Sequence, residues 1–135
     1  MFDWEDFLVL ARELSISSLS EESKLRTSIS RTYYSMFHRA QDFCKMKGVP
    51  TPPIPSPSGI GNDNSPHMRI ISGMRKYNDS TKNYKEVIFA GRLLDTLRIK
   101  RVHADYTDAP FGDAKTDATN AISTAEQIIK TLDNF

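Results

Sequence analysis

The sequence predicts an all-α fold: an up-and-down bundle of four main helices with one short extra helix. Two observations predict it. Apolar residues recur at spacings of three and four over most of the chain, and no segment shows the strict alternation of a strand. The helix breakers are concentrated, with six of the seven prolines lying between Pro50 and Pro66.

The first helix is expected over residues 2–15. Trp4, Phe7, Leu8, Ala11 and Leu14 form its apolar stripe, with Glu5, Asp6, Arg12 and Glu13 mostly on the other side. Ser18 and Glu21 have the spacing of a capping box, which opens the next helix. That helix covers 20–47, with Leu25, Ile29, Tyr33, Met36, Ala40 and Phe43 as its core stripe. Gly48 closes it as the C-terminal cap. A second stripe holds Arg31, Tyr34, Ser35, His38, Asp42 and Lys45. Arg31 lies about 200° from Ile29, so this stripe should face water or a partner.

Residues 49–66 read as an exposed Pro/Gly-rich linker with neither helix nor sheet, because proline removes donors and fixes φ. Ser65-Pro66 then starts a short helix over 66–76, with Met68, Ile71 and Met74 on one side. Asn78-Asp79-Ser80 forms a turn and a second cap. A fourth helix follows over 81–106, a loop over 107–112, and a last helix over 113–133. The last stripe is Ala114, Ala118, Ala121, Ile122, Ala125, Ile129 and Leu132, whose alanines allow close helix approach.

With 135 residues the chain suits one domain, and a net charge of +1 gives no bulk basicity for nucleic acid. Cys44 is the only cysteine, so neither an internal disulfide nor a cysteine zinc cluster is available. No metal or cofactor is expected. The acidic start Met1-Phe2-Asp3-Trp4-Glu5-Asp6 lacks the order of a signal peptide, and no apolar run suits a membrane span. A cytoplasmic location is expected.

The fourth helix carries the unusual chemistry. Taking Val87 as 0°, Gly91, Leu94, Arg98, Arg101 and Asp105 fall within about 40° of it. A face that begins as core therefore ends in two arginines and an aspartate. With Ile88, Phe89 and Leu93 on the other side, this helix is expected inside the bundle, with the others packed around it. Buried charges need partners. Arg101 and Asp105 are four apart and can pair directly, which leaves Arg98 to an acid, a phosphate or solvent; the other reading is an anion site in which Arg98 and Arg101 offer forked donors to a phosphate. His103, near the helix end, is either a surface residue favoured by the helix dipole or a general acid or base. Arg98 and His103 are about 140° apart on an ideal helix, so sharing a site requires distortion or a second subunit.

Arg31-Thr32-Tyr33-Tyr34-Ser35-Met36-Phe37 on the second helix, and Leu97-Arg98, Arg101 and Ala104-Asp105-Tyr106 on the fourth, together resemble the HEPN domain. The opening Phe2-Asp3-Trp4, and Lys24-Leu25-Arg26 leading into Ser30-Arg31, resemble its small stand-alone bacterial members. The resemblance implies a homodimer acting on RNA as a metal-independent endoribonuclease of toxin or defence type. Arg98 and His103 would be its catalytic pair. The histidine would handle the proton of the attacking 2′-hydroxyl or of the leaving oxygen, and the arginine would stabilise the phosphorane charge. Arg101, Asp105, Tyr106, Arg31, Tyr34 and His38 would bind substrate or form a structural polar network. Arg31 and His38 also match the Arg–His spacing, on the second helix. The pattern departs from the nuclease form at Ile99, where a polar residue is usual, and at Asp105, where some members carry the tyrosine found here at 106. The alternative is a non-catalytic HEPN module that binds a nucleotide, RNA or a partner protein such as a cognate antitoxin. A plain helical adaptor using the polar stripe of residues 31–45 is the third option.

Overall fold

The computed structural model describes residues 2–16, 22–55, 62–63, 65–79, 84–107 and 113–135. Five helices account for most of them: α1 (Asp6–Ser15), α2 (Glu22–Lys47), α3 (Pro66–Arg75), α4 (Tyr84–Tyr106) and α5 (Ala114–Asp133). The only other regular structure among the described residues is a two-residue antiparallel ladder, β1 (Ile54–Pro55) with β2 (Asn62–Asp63). It lies in the proline-rich stretch, where no pairing was expected. Three helices are long, whereas α1 and α3 have ten residues each, so the extra short helix has a twin.

Cross-helix contacts give the directions. Arg26 meets Ala104, while Tyr34 meets Arg101, so α4 runs against α2. Ser28 donates to the Ala11 carbonyl, and Arg39 pairs with Glu5, so α1 also runs against α2. Arg39 pairs in addition with Asp133 at the end of α5, and Phe43 packs edge-on against Phe135, so α5 runs with α2. This is the expected up-and-down order.

The predicted α2 stripe is the core. Leu25, Ile29, Tyr33, Met36, Ala40 and Phe43 are all buried, against Ile71 and Met74 of α3, Val87, Leu94 and Leu97 of α4, and Ala118, Ala121, Ala125 and Ile128 of α5. Removing such apolar area from water contributes the main stabilisation. On α5 the core position is Ile128, which is fully buried, whereas the expected Ile129 is only half-buried.

The hub of the bundle is α2, not α4. It packs against all four other helices, whereas α4 meets α2, α3 and α5. One flank of α4 is bare: Phe89, Ile99, Val102 and Tyr106 are exposed. The second stripe of α2 consequently does not face water throughout. Ser35 is buried and Arg31, Tyr34 and His38 are half-buried, leaving only Asp42 and Lys45 exposed. A helix with neighbours on every side has no wholly solvated face.

Local signals explain the ends. Gly48 adopts φ +69°, and Val49 N–H bonds the Cys44 carbonyl at 2.9 Å, the left-handed closure expected of glycine at this position. Pro66 occupies the first turn of α3, but the Ser65 side chain makes no capping bond to the helix. Asp113, one residue before α5, accepts from Thr116 N–H at 3.1 Å. The start of α1 comes later than expected, because Phe2–Glu5 form a turn in which Asp3 accepts from Glu5 N–H. The Ser18–Glu21 box and Ser80 lie outside the described residues.

The linker is anchored where it leaves α2. Val49 is buried, Arg69 donates to the Thr51 carbonyl at 3.0 Å, and the Pro50 carbonyl sits where a β-carbon on Gly73 would be. Pro50, Pro52 and Pro53 are exposed as expected.

Candidate functional site

The polar residues of α2 and α4 converge where the two helices cross. Arg101, its side chain 13% exposed, is the centre. Its Nε lies 3.0 Å from Asp105 Oδ2, the predicted ion pair, but the N–H is not aligned along that contact, so it is electrostatic rather than a directed hydrogen bond. The same guanidinium donates to Tyr34 Oη and, at 3.3 Å, to Tyr106 Oη. Ser30 donates to Asp105 at 3.1 Å, which ties the acid back to α2.

Around this centre, guanidinium groups and aromatic rings alternate. Arg31 lies 5.0 Å from the Phe7 ring centroid and 5.1 Å from that of Tyr34; Arg101 lies 5.0 Å from Tyr34 and 5.2 Å from Tyr106. The order is Phe7, Arg31, Tyr34, Arg101, Tyr106. Each contact is within the range where a cation is attracted to a ring face. Arg101 is balanced by Asp105, but Arg31 has no ion pair among the described residues. Tyr106, at the outer end, is 71% exposed.

Arg98 has the acid it needed, and the partner is Asp95 on the preceding turn. Arg98 Nε donates to Asp95 Oδ1 at 2.9 Å, and Arg75 of α3 reaches the other oxygen at 3.4 Å. The i,i+3 spacing makes this pair legible in the sequence. His103 does not join Arg98. The helix is unbroken from Tyr84 to Tyr106, which keeps the two about 140° apart. The carbonyls of His103, Ala104 and Thr107 accept from Arg26 at 3.2, 3.0 and 2.7 Å, so the last turn of α4 is held by a cation suited to its dipole.

His38 stacks on Trp4 with ring centroids 3.6 Å apart. Burial lowers its pKa, against the opposing pull of Asp42. The histidine that meets the arginine cluster is one the sequence did not single out, His67 in the first turn of α3. Its Nδ1 is 2.6 Å from Tyr33 Oη, and its ring lies 4.2 Å from Phe37 and 6.0 Å from Tyr34. Burial lowers its pKa, followed by the charges of Arg101, His38 and Arg98. Burial also raises the Tyr33 pKa, so its phenol stays protonated. Residue type offers no signal for His67, because its neighbours come from helices far away in sequence.

Two clefts lie away from this centre. One of about 420 Å³ sits among Phe2, Trp4, Arg39, Met46 and Phe135, and one of about 710 Å³ lies between the proline segment and α3, beside Gly73 and Tyr77. Among the described residues no three His, Cys, Asp or Glu side chains are grouped to hold a metal ion, and no helix is long and apolar enough to cross a membrane. In comparisons with known proteins, the chain matches no family model, no curated protein and no solved structure.

Proposed function

We propose that this chain is a HEPN-like helical module that binds RNA or a nucleotide on the face built by Arg31, Tyr34, Arg101 and Tyr106. The observation that carries the proposal is Arg31, held between Phe7 and Tyr34 without a carboxylate partner among the described residues. A guanidinium oriented by stacking and left with free donors suits a phosphate, which it can grip with two parallel N–H bonds. An exposed tyrosine at the end of the ladder supplies a surface on which a base can stack, worth about 1–3 kcal/mol per base. Arg101 supports this surface rather than gripping the ligand, because Asp105 and two phenols already occupy it.

The test is fluorescence anisotropy of a labelled single-stranded RNA and of a labelled nucleotide across a salt series. Arg31→Ala should weaken binding and reduce the salt slope by about one. Tyr106→Ala should weaken binding without changing that slope. Unchanged affinity in both variants would sink the proposal.

A second role is favoured by a separate observation. Ile99, Val102 and Tyr106 form an exposed apolar stripe on α4, and His103 lies about 40° from Ile99 on the same side of the helix. A second copy packed on this stripe would bring His103 of one subunit towards Arg98 of the other, as the two-subunit ribonuclease requires. In that role His103 moves the proton and Arg98 stabilises the phosphorane, at the cost of loosening its bond to Asp95. RNA cleavage without divalent metal by wild type, lost in His103→Ala, would select this role. Binding without cleavage selects the module.

A further inference from the structure

Tyr33 is fully buried, and among the described residues its hydroxyl has one hydrogen-bond partner, His67 Nδ1 at 2.6 Å. A buried phenol has to place its proton on an acceptor. Nδ1 is the acceptor within reach, so Tyr33 donates and Nδ1 accepts. The imidazole is neutral, and a neutral ring whose Nδ1 accepts carries its hydrogen on Nε2. Phe37, stacked at 4.2 Å with 29° between the planes, fixes the ring orientation. His67 is thus preset as a donor through Nε2, an atom with no hydrogen-bond partner among the described residues.

The surroundings select what this donor can meet. Arg101 lies over the Tyr33 and Tyr34 rings, at 5.9 and 5.0 Å, and His67 packs against the same two rings at 5.5 and 6.0 Å. Positive charge from Arg98 and Arg101 reaches the imidazole. A metal ion would be repelled there, and its ligand nitrogen would have to be free of hydrogen. An anionic oxygen is favoured by both the field and the N–H.

We infer that His67 donates its Nε2–H to a phosphate oxygen of the RNA or nucleotide bound on the Arg31–Tyr34 face, with Tyr33 as the positioning residue that locks the tautomer. The inference rests on the binding role proposed above. His67 belongs to α3, so the ligand would contact a third helix and be read by a neutral donor beside the guanidinium groups. Hydrogen bonds to charged groups are roughly twice as strong as neutral ones, which makes this donor count.

The test uses the full chain labelled with ¹⁵N, titrated with inorganic pyrophosphate and with a short single-stranded RNA. Imidazole ¹⁵N resonances report the tautomer, and anisotropy reports RNA affinity. In the free protein the His67 proton is expected on Nε2, and in Tyr33→Phe it should distribute over both nitrogens. Either probe should shift the Nε2–H resonance. His67→Phe, which keeps a stackable ring, should weaken RNA binding about tenfold or more. His67→Gln, whose amide N–H can stand in for Nε2–H, should retain most of the affinity. Wild-type binding with His67→Phe equally tight and Nε2–H unmoved would overturn the assignment and leave the binding role standing. A wild type that binds neither probe would overturn both. A proton found on Nδ1 in the free protein would overturn the assignment alone, without recourse to any variant.

Discussion

The Arg26 guanidinium donates to the Thr107 carbonyl at 2.7 Å, so a residue from the start of α2 caps the end of α4. The same nitrogen reaches the His103 and Ala104 carbonyls, and a carboxylate on its own helix, Glu22, steadies the guanidinium at 3.1 Å. The last carbonyls of a helix have no partner within it and carry its negative pole.

Arg26→Ala should therefore cost about 2 kcal/mol of stability. Urea unfolding followed by circular dichroism measures it. Arg26→Lys should recover part of the loss, because an ammonium keeps the charge but has no second and third nitrogen to hold Glu22 while the first bonds the carbonyls. A change below 0.5 kcal/mol, on the order expected of an exposed residue, would mean that the cap contributes nothing.

Gly73 touches the linker so closely that a β-carbon there would lie 2.3 Å from the Pro50 carbonyl. Gly73→Ala should force Pro50 off α3 and lower stability by about 1–3 kcal/mol. At Gly91 a β-carbon would meet Met74 at 2.9 Å, and Gly91→Ala should also destabilise, by separating α4 from α3. Differential scanning calorimetry of the two variants compares them. A raised melting temperature in Gly73→Ala would show that the linker yields freely.

Acid should destabilise the protein through its histidines. His38 and His67 both have lowered pKa values in the fold, chiefly because burial disfavours the imidazolium. The unfolded chain takes up these protons near the ordinary value of about 6.5. From there down to the folded values it binds more protons than the native state, so stability rises with pH across that window and is lost as pH falls through it. Melting temperatures between pH 8 and 5 should trace this slope, and His67→Gln should flatten it. An unchanged slope in that variant would remove His67 from the effect.

The thiol of Cys44 is buried, and its pKa is pushed up to about 12. The thiolate is the reactive form, so a disulfide reagent at neutral pH should not modify it in the native protein. Its labelling rate should follow the population of opened molecules, rising in Arg26→Ala and Gly73→Ala. Fast labelling of folded wild type would contradict the burial.

Helix periodicity carried most of the fold, since a stripe such as Leu25–Phe43 encodes both the element and its buried side. It could not rank the helices. The wheel of α4 looks apolar almost all round, yet Phe89 and Ile99 are exposed, because which helix has neighbours on every side is decided by packing. The site divides the same way. Arg101 with Asp105, and Arg98 with Asp95, follow helical spacing and were within reach of the sequence. Tyr33 with His67, Arg101 with Tyr34, and Arg26 with the end of α4 join residues 34, 67 and 78 positions apart. No local pattern announces such contacts.

Arg39 holds Glu5 and Asp133 at once, so the two ends of the described chain are neighbours. The thirteen residues from Arg26 to Arg39 span about 20 Å of α2, which places these ends well away from the cap of α4. A short peptide could join them and new ends could be opened elsewhere, a rearrangement that folds with adjacent surface termini accept. Phe2 and Trp4 pack against Phe7, the ring that carries Arg31, so an attachment on the Glu5 side would emerge beside the inner end of the arginine ladder, away from the Arg26 cap.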